Sequence, residues 1–265
     1  MKMFARECLL TATLVAGMAI GSASHAASIA IAPGPSPAGG YLPLSAFGFA
    51  PLAWSSGDGF VSVSTLNFSF GGQSWSQLQV GADGLVVLGD TAPPTPGWSA
   101  TNLSLPNAFS APIIAPFWTD LDPTAGGSVR VGGLSDGANT WLVVDWQAVP
   151  LQNGGGTSSF QIWFGANQDD VTFTYGALAN PALLTVGAQD ATGTIGTNYF
   201  YNGAGVRPGQ DTELRVTWTG LPITAVPEPA TWAMMIVGFG LVGSIVRSTR
   251  RRELGAAGQP MSARA

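Results

Sequence analysis

The chain is predicted to fold as an all-β, antiparallel β-sandwich, with an N-terminal signal peptide before it and a single C-terminal transmembrane helix behind it. Three observations carry this reading. Between residues 41 and 221 no stretch holds a helical period for three turns. Short runs there alternate apolar and polar side chains with the two-residue period of strands. Gly, Pro, Asn and Asp break them at the spacing of sandwiches and barrels. Thirteen Phe and nine Trp supply the large side chains such a core needs.

The chain opens as a secretory leader over residues 1–26. Lys2 and Arg6 give a positive start, Leu9–Ile20 an apolar core, and Ser24-His25-Ala26 a small-x-small site that places cleavage between Ala26 and Ala27. A retained single-pass anchor is the alternative, and the small residues that follow the apolar core so closely argue against it. Cys8 precedes that core, so the leader is not of the lipoprotein kind. Cleavage removes the chain's one Cys and one His. A mature chain without them has no Ser-His-Asp or Cys-His mechanism, no His/Cys zinc site and no disulfide. A non-catalytic protein is expected.

Residues 27–40, rich in Pro and Gly, read as an extended lead-in. Over residues 41–221 the strand pattern is explicit. Phe60–Ser64, Asn67–Phe70 and Leu78–Val80 alternate, and Gly84 opens the apolar run Leu85–Leu88. In Thr140–Gln147 the side chains of Leu142, Val144 and Trp146 share one face, with Trp141, Val143 and Asp145 on the other. Phe160, Ile162 and Phe164 oppose Gln161 and Trp163 in the same way. Val171–Tyr175 and Glu213–Trp218 repeat the period, so each strand is expected to bury one face. Gln152–Thr157 joins two antiparallel neighbours and Asn167–Asp170 makes the next turn. Gly154-Gly155-Gly156 lacks a following Lys and is no phosphate loop.

Several of these segments in order carry a resemblance. Phe68–Trp75 precedes Leu78–Gly89, then Ala115-Pro116-Phe117-Trp118-Thr119-Asp120-Leu121-Asp122, Gly127–Val131, Val144–Trp146 and Ser159–Trp163. This series, over Leu66–Gln189, is similar to the nidogen-type extracellular domain of bacterial surface proteins. The resemblance implies a β-sandwich used in adhesion or matrix assembly, with no active site to carry over.

From Ala27 to Val226 the bases are Arg130, Arg207 and Arg215, set against twelve acids, a net charge of −9. So acidic a segment is a poor partner for nucleic acid. Asp120 and Asp122, two apart on a loop after an apolar strand, are the candidate ligands for calcium, which takes six to eight oxygens. The competing reading has them capping the turn before Pro123. No other cofactor is expected. Asp169 and Asp170 read as hairpin-turn residues. A glycoside hydrolase needs two carboxylates flanking the sugar bond, and spacing alone does not show such convergence. A carbohydrate-binding module for extracellular polysaccharide would stack aromatics on sugar rings. Trp54, Trp75 and Trp98, beside Gly, Ser or Pro, are the candidates for exposure, whereas Trp118, Trp146 and Trp163 read as core or strand-face residues.

The last segment, 222–265, organises the rest. Val226-Pro227-Glu228-Pro229 leads into the uncharged run 230–246, roughly 25 Å long as a helix and therefore at the short edge of a membrane span. Arg247, Arg250, Arg251 and Arg252 stop it on the cytoplasmic side, and Trp232 suits the headgroup boundary. Gly238, Gly240 and Gly243 give small-residue spacing along the helix. Together these residues resemble the PEP-CTERM sorting signal of Gram-negative bacteria, down to the Trp232–Gly243 wording. The resemblance implies an exosortase as partner, cleavage near the Pro-Glu-Pro, export through the Sec pathway, a transient stay in the inner membrane, and a final place on the cell surface or in a biofilm matrix. The tail 253–265 extends past the point where the signal ordinarily stops.

Overall fold

Among the described residues the two-residue alternation resolves into thirteen strands in two antiparallel sheets. The structure, a computed structural model, describes residues 27–91, 97–166 and 168–220. The signal peptide with Ala26, the Pro-Glu-Pro motif, the apolar run and the arginine stop lie outside those residues.

The strands are β1 (Ile29–Pro33), β2 (Phe60–Phe70), β3 (Gln73–Gly81), β4 (Val86–Leu88), β5 (Ile113–Trp118), β6 (Ser128–Ser135), β7 (Thr140–Pro150), β8 (Thr157–Gly165), β9 (Asp170–Tyr175), β10 (Thr185–Gln189), β11 (Gly196–Tyr201), β12 (Ala204–Gly205) and β13 (Glu213–Trp218). One sheet has the order β1-β13-β9-β8-β7-β6, the other β12-β11-β10-β5-β4-β3-β2. The two alternating runs expected around Phe60 and Phe70 form one strand, whose pairing to β3 shifts between Ser64 and Phe68.

The main core lies between the sheets. Phe68 packs on Phe164 with ring centroids 4.6 Å apart, and Phe160 is flanked by Phe117 at 5.2 Å and Trp146 at 5.0 Å. Leu142, Val144 and Trp146, the face expected to point inward, join this core. The Tyr175 hydroxyl donates to Pro116 O across it at 2.7 Å. Pro116 has no N–H to give a ladder, and it sits where β5 falls out of register with β10.

Burial differs from expectation on the outer faces, where each sheet is covered as well. Leu42 and Leu44, around a short 3₁₀ turn at Leu44–Phe47, cap Val143 and Trp163 on the outside of the first sheet. The polar residues of that face are buried there because the strap satisfies them. Asp145 accepts from Leu44 N–H at 2.8 Å and Tyr41 hydroxyl at 2.9 Å, and Gln161 accepts from Leu42 N–H at 3.2 Å. Trp98, Leu103, Leu105 and Phe109 cover Leu85, Val87, Ile113 and Trp118 outside the second sheet. All six residues of β5 are therefore buried, as in a strand with both faces covered.

The lead-in differs too. Ile29–Pro33 is paired along its length with β13, Ile29 opposite Trp218 and Pro33 opposite Leu214. Residues 29–33 of the lead-in are thus part of the first sheet. Their apolar side chains have a place to go, since Ile29 is buried in the main core.

Candidate functional site

Three carboxylates meet where two strand ends and one loop converge. Asp83 lies in the turn between β3 and β4. Gly84 there has φ +77°, and a Cβ on it would stand 2.2 Å from Phe117 O, so only glycine fits. The turn fixes Asp83 against the end of β5: Thr119 N–H donates to Asp83 O at 3.1 Å and Leu121 N–H to its Oδ1 at 3.0 Å. Ala82 N–H donates to Gly59 O at 3.0 Å, which draws in the loop bearing Asp58. Asp120 follows β5; its carbonyl accepts from Gln152 N–H at 3.0 Å, and its Oδ2 accepts from Asn153 Nδ2 at 3.4 Å. One oxygen from each of Asp58, Asp83 and Asp120 lies within 4.8 Å of the other two.

The electrostatics are strained. Asp83 is fully buried, and its Oδ2 has no hydrogen-bond partner; the buried Oδ1 of Asp120 has none either. Burial pushes Asp83 up to about 7, with the charges of Asp58 and Asp120 adding to the rise. The nearby Ser99 hydroxyl and Leu121 N–H temper it. Ser99 Oγ does not reach regular hydrogen-bond geometry and is itself buried and unpaired. Asp120 is raised as well, by burial first and then by Asp58 and Asp122. The group can hold either a proton or a cation.

Asp120 also opens onto a cleft of about 480 Å³, whose wall includes Asn102, Asn153, Asn180 and Leu183. Among the described residues, Asp120 is the one carboxylate in that wall. The cleft lies at the pole of the sandwich opposite the chain ends. A groove gathers Trp218 with Gln73 and Pro112 at the other pole. From there the nine residues of β3 run roughly 30 Å, at about 3.3 Å per residue, to Gly81 and the acidic turn.

The three-carboxylate group contains Asp120 and not Asp122, although the charge of Asp122 still acts on Asp120. Asp122 turns its Oδ1 to Thr124, accepting from the N–H at 2.8 Å and the hydroxyl at 2.5 Å, which is the turn-capping alternative. Asp169 does more than close a hairpin, since its Oδ2 accepts from Gly72 N–H at 2.8 Å and ties the β8–β9 turn to the β2–β3 turn. Asp170 pairs with Arg215. Trp118, Trp146 and Trp163 are buried. Trp54, Trp75 and Trp98, expected to be exposed, are each half-buried. Trp75 donates its indole N–H to Phe70 O at 3.1 Å. Trp98 packs between Trp118 and Phe109, both at 5.2 Å. None of the three is fully exposed. Asp58 and Asp83 are not marked by their spacing. Asp83-Gly84 reads as a tight turn, and nothing local to Asp58 sets it apart.

With the geometry in place, comparison with known proteins gives two matches. Residues 41–219 match the family described as NIDO related. The chain belongs to the NIDO-related family. Residues 225–252 match the PEP-CTERM protein-sorting motif. No curated protein and no solved structure matches the chain. The NIDO-related region takes in both straps and all three clustered carboxylates but begins after β1. Both matched families are non-catalytic in type. The sorting motif marks an exported protein of Gram-negative bacteria, anchored by its C-terminus in the membrane before an exosortase handles it.

Proposed function

We propose that this NIDO-related protein is a non-catalytic surface or biofilm-matrix module delivered by its two chain ends. Residues 1–26 direct export through the Sec pathway and are removed between Ala26 and Ala27. The body 41–221, with β1 added to it, folds outside the inner membrane. Segment 222–265 holds it there through the span 230–246 and the stop at Arg247, Arg250, Arg251 and Arg252. An exosortase then cuts at Val226-Pro227-Glu228-Pro229, and the body passes to the cell surface or matrix.

The observation that carries this reading is the sorting motif at 225–252, directly behind a body whose ends leave side by side. Thr219 N–H donates to Ser28 O at 2.9 Å. The body therefore hangs by one pole, with its cleft at the far one. Mass spectrometry of the protein from its native cell tests the reading. An N-terminus at Ala27 and a C-terminus at or near Pro227–Pro229 are expected. Intact Arg250–Arg252 would instead make it a retained membrane protein. Turnover of a polysaccharide or peptide by the purified protein would remove the word non-catalytic.

A second reading, a carbohydrate-binding module, is favoured by the cleft more than by the half-buried tryptophans. The side chains of Asn153 and Asn180 are exposed in its wall and carry both donors and acceptors for hydroxyl groups. Binding on a glycan array that is lost in Asn153→Ala and Asn180→Ala supports this reading, and a clean array sinks it.

A further inference from the structure

We propose that Asp58, Asp83 and Asp120 form a calcium site at the pole of the sandwich away from the chain ends. This goes beyond the surface-module reading and stands whether or not the C-terminus is processed.

The first argument is charge. Three carboxylates converge within 4.8 Å, and none of the arginines in the described residues answers them. Arg215 pairs with Asp170. Arg207 donates to Pro181 O and lies over the Phe200 ring. Arg130 donates to Phe49 O, the Ser128 hydroxyl and Gln147. Like charges held together in a partly buried site need a cation or protons.

The second argument is the unmet oxygens. Asp83 is fully buried, with Oδ2 unpartnered, and buried polar atoms in native proteins ordinarily have partners. Asp120 Oδ1 is unpartnered beside it. Two further buried oxygens lack partners on the strap covering this corner: Ser99 Oγ, next to Asp83, and Asn102 Oδ1, in the same cleft wall as Asp120. The Ser99 hydroxyl near Asp83 stands outside regular hydrogen-bond geometry, so Asp83 Oδ2 and Asp120 Oδ1 are left for a cation to satisfy.

Donor type chooses the ion. The set is all oxygen, which suits a hard cation, and calcium accepts such ligands in flexible geometry where magnesium demands a near-ideal octahedron and keeps its waters. The ligands are also held in advance by backbone bonds from Ala82 to Gly59, Thr119 to Asp83 and Gln152 to Asp120. Asp122 is outside the group that meets within 4.8 Å, and its Oδ1 serves Thr124.

The test uses the full-length protein in detergent, stripped with a chelator and titrated with calcium chloride by calorimetry. One calcium per chain is expected, with Kd in the range of about 10⁻⁴–10⁻³ M found for extracellular modules, and magnesium at least about tenfold weaker. Millimolar calcium should raise Tm, and terbium should luminesce through Trp98 and Trp118 until calcium displaces it. Asp58→Asn and Asp120→Asn should each weaken calcium at least about tenfold, while Asp122→Asn keeps it. Loss of folding does not confuse the result, because each Asn variant removes a like charge and should melt no lower than the stripped parent. No heat and no Tm shift in the parent would overturn the site. So would full calcium response in both Asp58→Asn and Asp120→Asn, or loss of it in Asp122→Asn alone.

Discussion

Ser28 and Thr219, 191 residues apart in sequence, close the domain on itself: their hydroxyls stand 2.6 Å apart and Thr219 N–H donates to Ser28 O at 2.9 Å. The pair is exposed, so its own contribution is small, about 1 kcal/mol or less. The strand it starts matters more. Ile29 is buried, and Ile29→Ala should lower the unfolding free energy by roughly 2–4 kcal/mol, against under about 1 kcal/mol for Ser28→Ala. Urea denaturation of the two variants checks the order. Equal, small effects would mean that β1 is an ornament on the sheet's edge.

Asp145 gives a pH test. It is fully buried beneath the strap, and burial raises its pKa, with Leu44 N–H, Tyr41 hydroxyl, Gln161 and Arg130 opposing the rise. Tyr41 from the strap and Arg130 from β6 are the titratable or charged groups that act on it. A pKa higher in the folded chain than in the unfolded one means the native state binds the proton more tightly. The associated stabilisation is complete below the unfolded value of about 3.9 and is lost as pH rises through the folded value. The stability difference between the parent and Asp145→Asn should therefore shrink from about pH 4 toward neutrality. Subtracting the variant removes the common slope of Asp83, Asp120 and Asp169, which are also raised. Thermal melts across that range decide it, and a difference that grows with pH would reverse the assignment. Asp145→Ala, which leaves two donors unpaired, should cost roughly 2–4 kcal/mol near pH 4, and that cost should fall as pH rises in the same way.

The same residue shows how far the fold was legible. Alternation in Thr140–Gln147 and Ser159–Gly165 locates both strands and the face turned to the main core. It also sets Asp145 and Gln161 on the opposite face, and there a polar side chain suggests solvent. In the structure that face is closed by Tyr41–Phe49, whose backbone N–H groups occupy the polar atoms. A strap that lies over a sheet has no period to betray it. Local spacing misleads in the same way at the acidic site. Asp120 and Asp122 are visible as a pair because they are neighbours, whereas Asp58 and Asp83 reach Asp120 only through pairing of β3, β4 and β5. The lead-in is equally ambiguous in composition: the Pro and Gly residues that follow Ile29–Ala32 mask a strand whose partner, β13, comes at the other end of the domain's sequence.

Gly84 is the residue on which the acidic turn depends. Its φ of +77° and the 2.2 Å approach to Phe117 O leave no room for a side chain. Gly84→Ala should cost more than about 3 kcal/mol, or abolish soluble protein. Gly71, at φ +69° with nothing within 4 Å of an added Cβ, carries the backbone strain without the clash, and Gly71→Ala should cost about 1–2 kcal/mol. The contrast between the two, measured by chemical denaturation, separates steric necessity from conformational preference.

Trp98 distinguishes a structural aromatic from a ligand platform. Its ring contacts Trp118 and Phe109 at 5.2 Å and Phe60 at 6.5 Å, sealing the outer face of the second sheet. Removing it opens that layer, so Trp98→Ala should destabilise the protein by on the order of 2–4 kcal/mol. Trp98→Phe keeps an aromatic in the layer and should recover most of the loss. A platform for sugar stacking behaves otherwise, with stability moved by no more than about 0.5 kcal/mol and binding lost. Melting curves of the two variants tell these apart without any knowledge of the ligand. Near-parent stability in Trp98→Ala would return this tryptophan to the candidates for a binding surface.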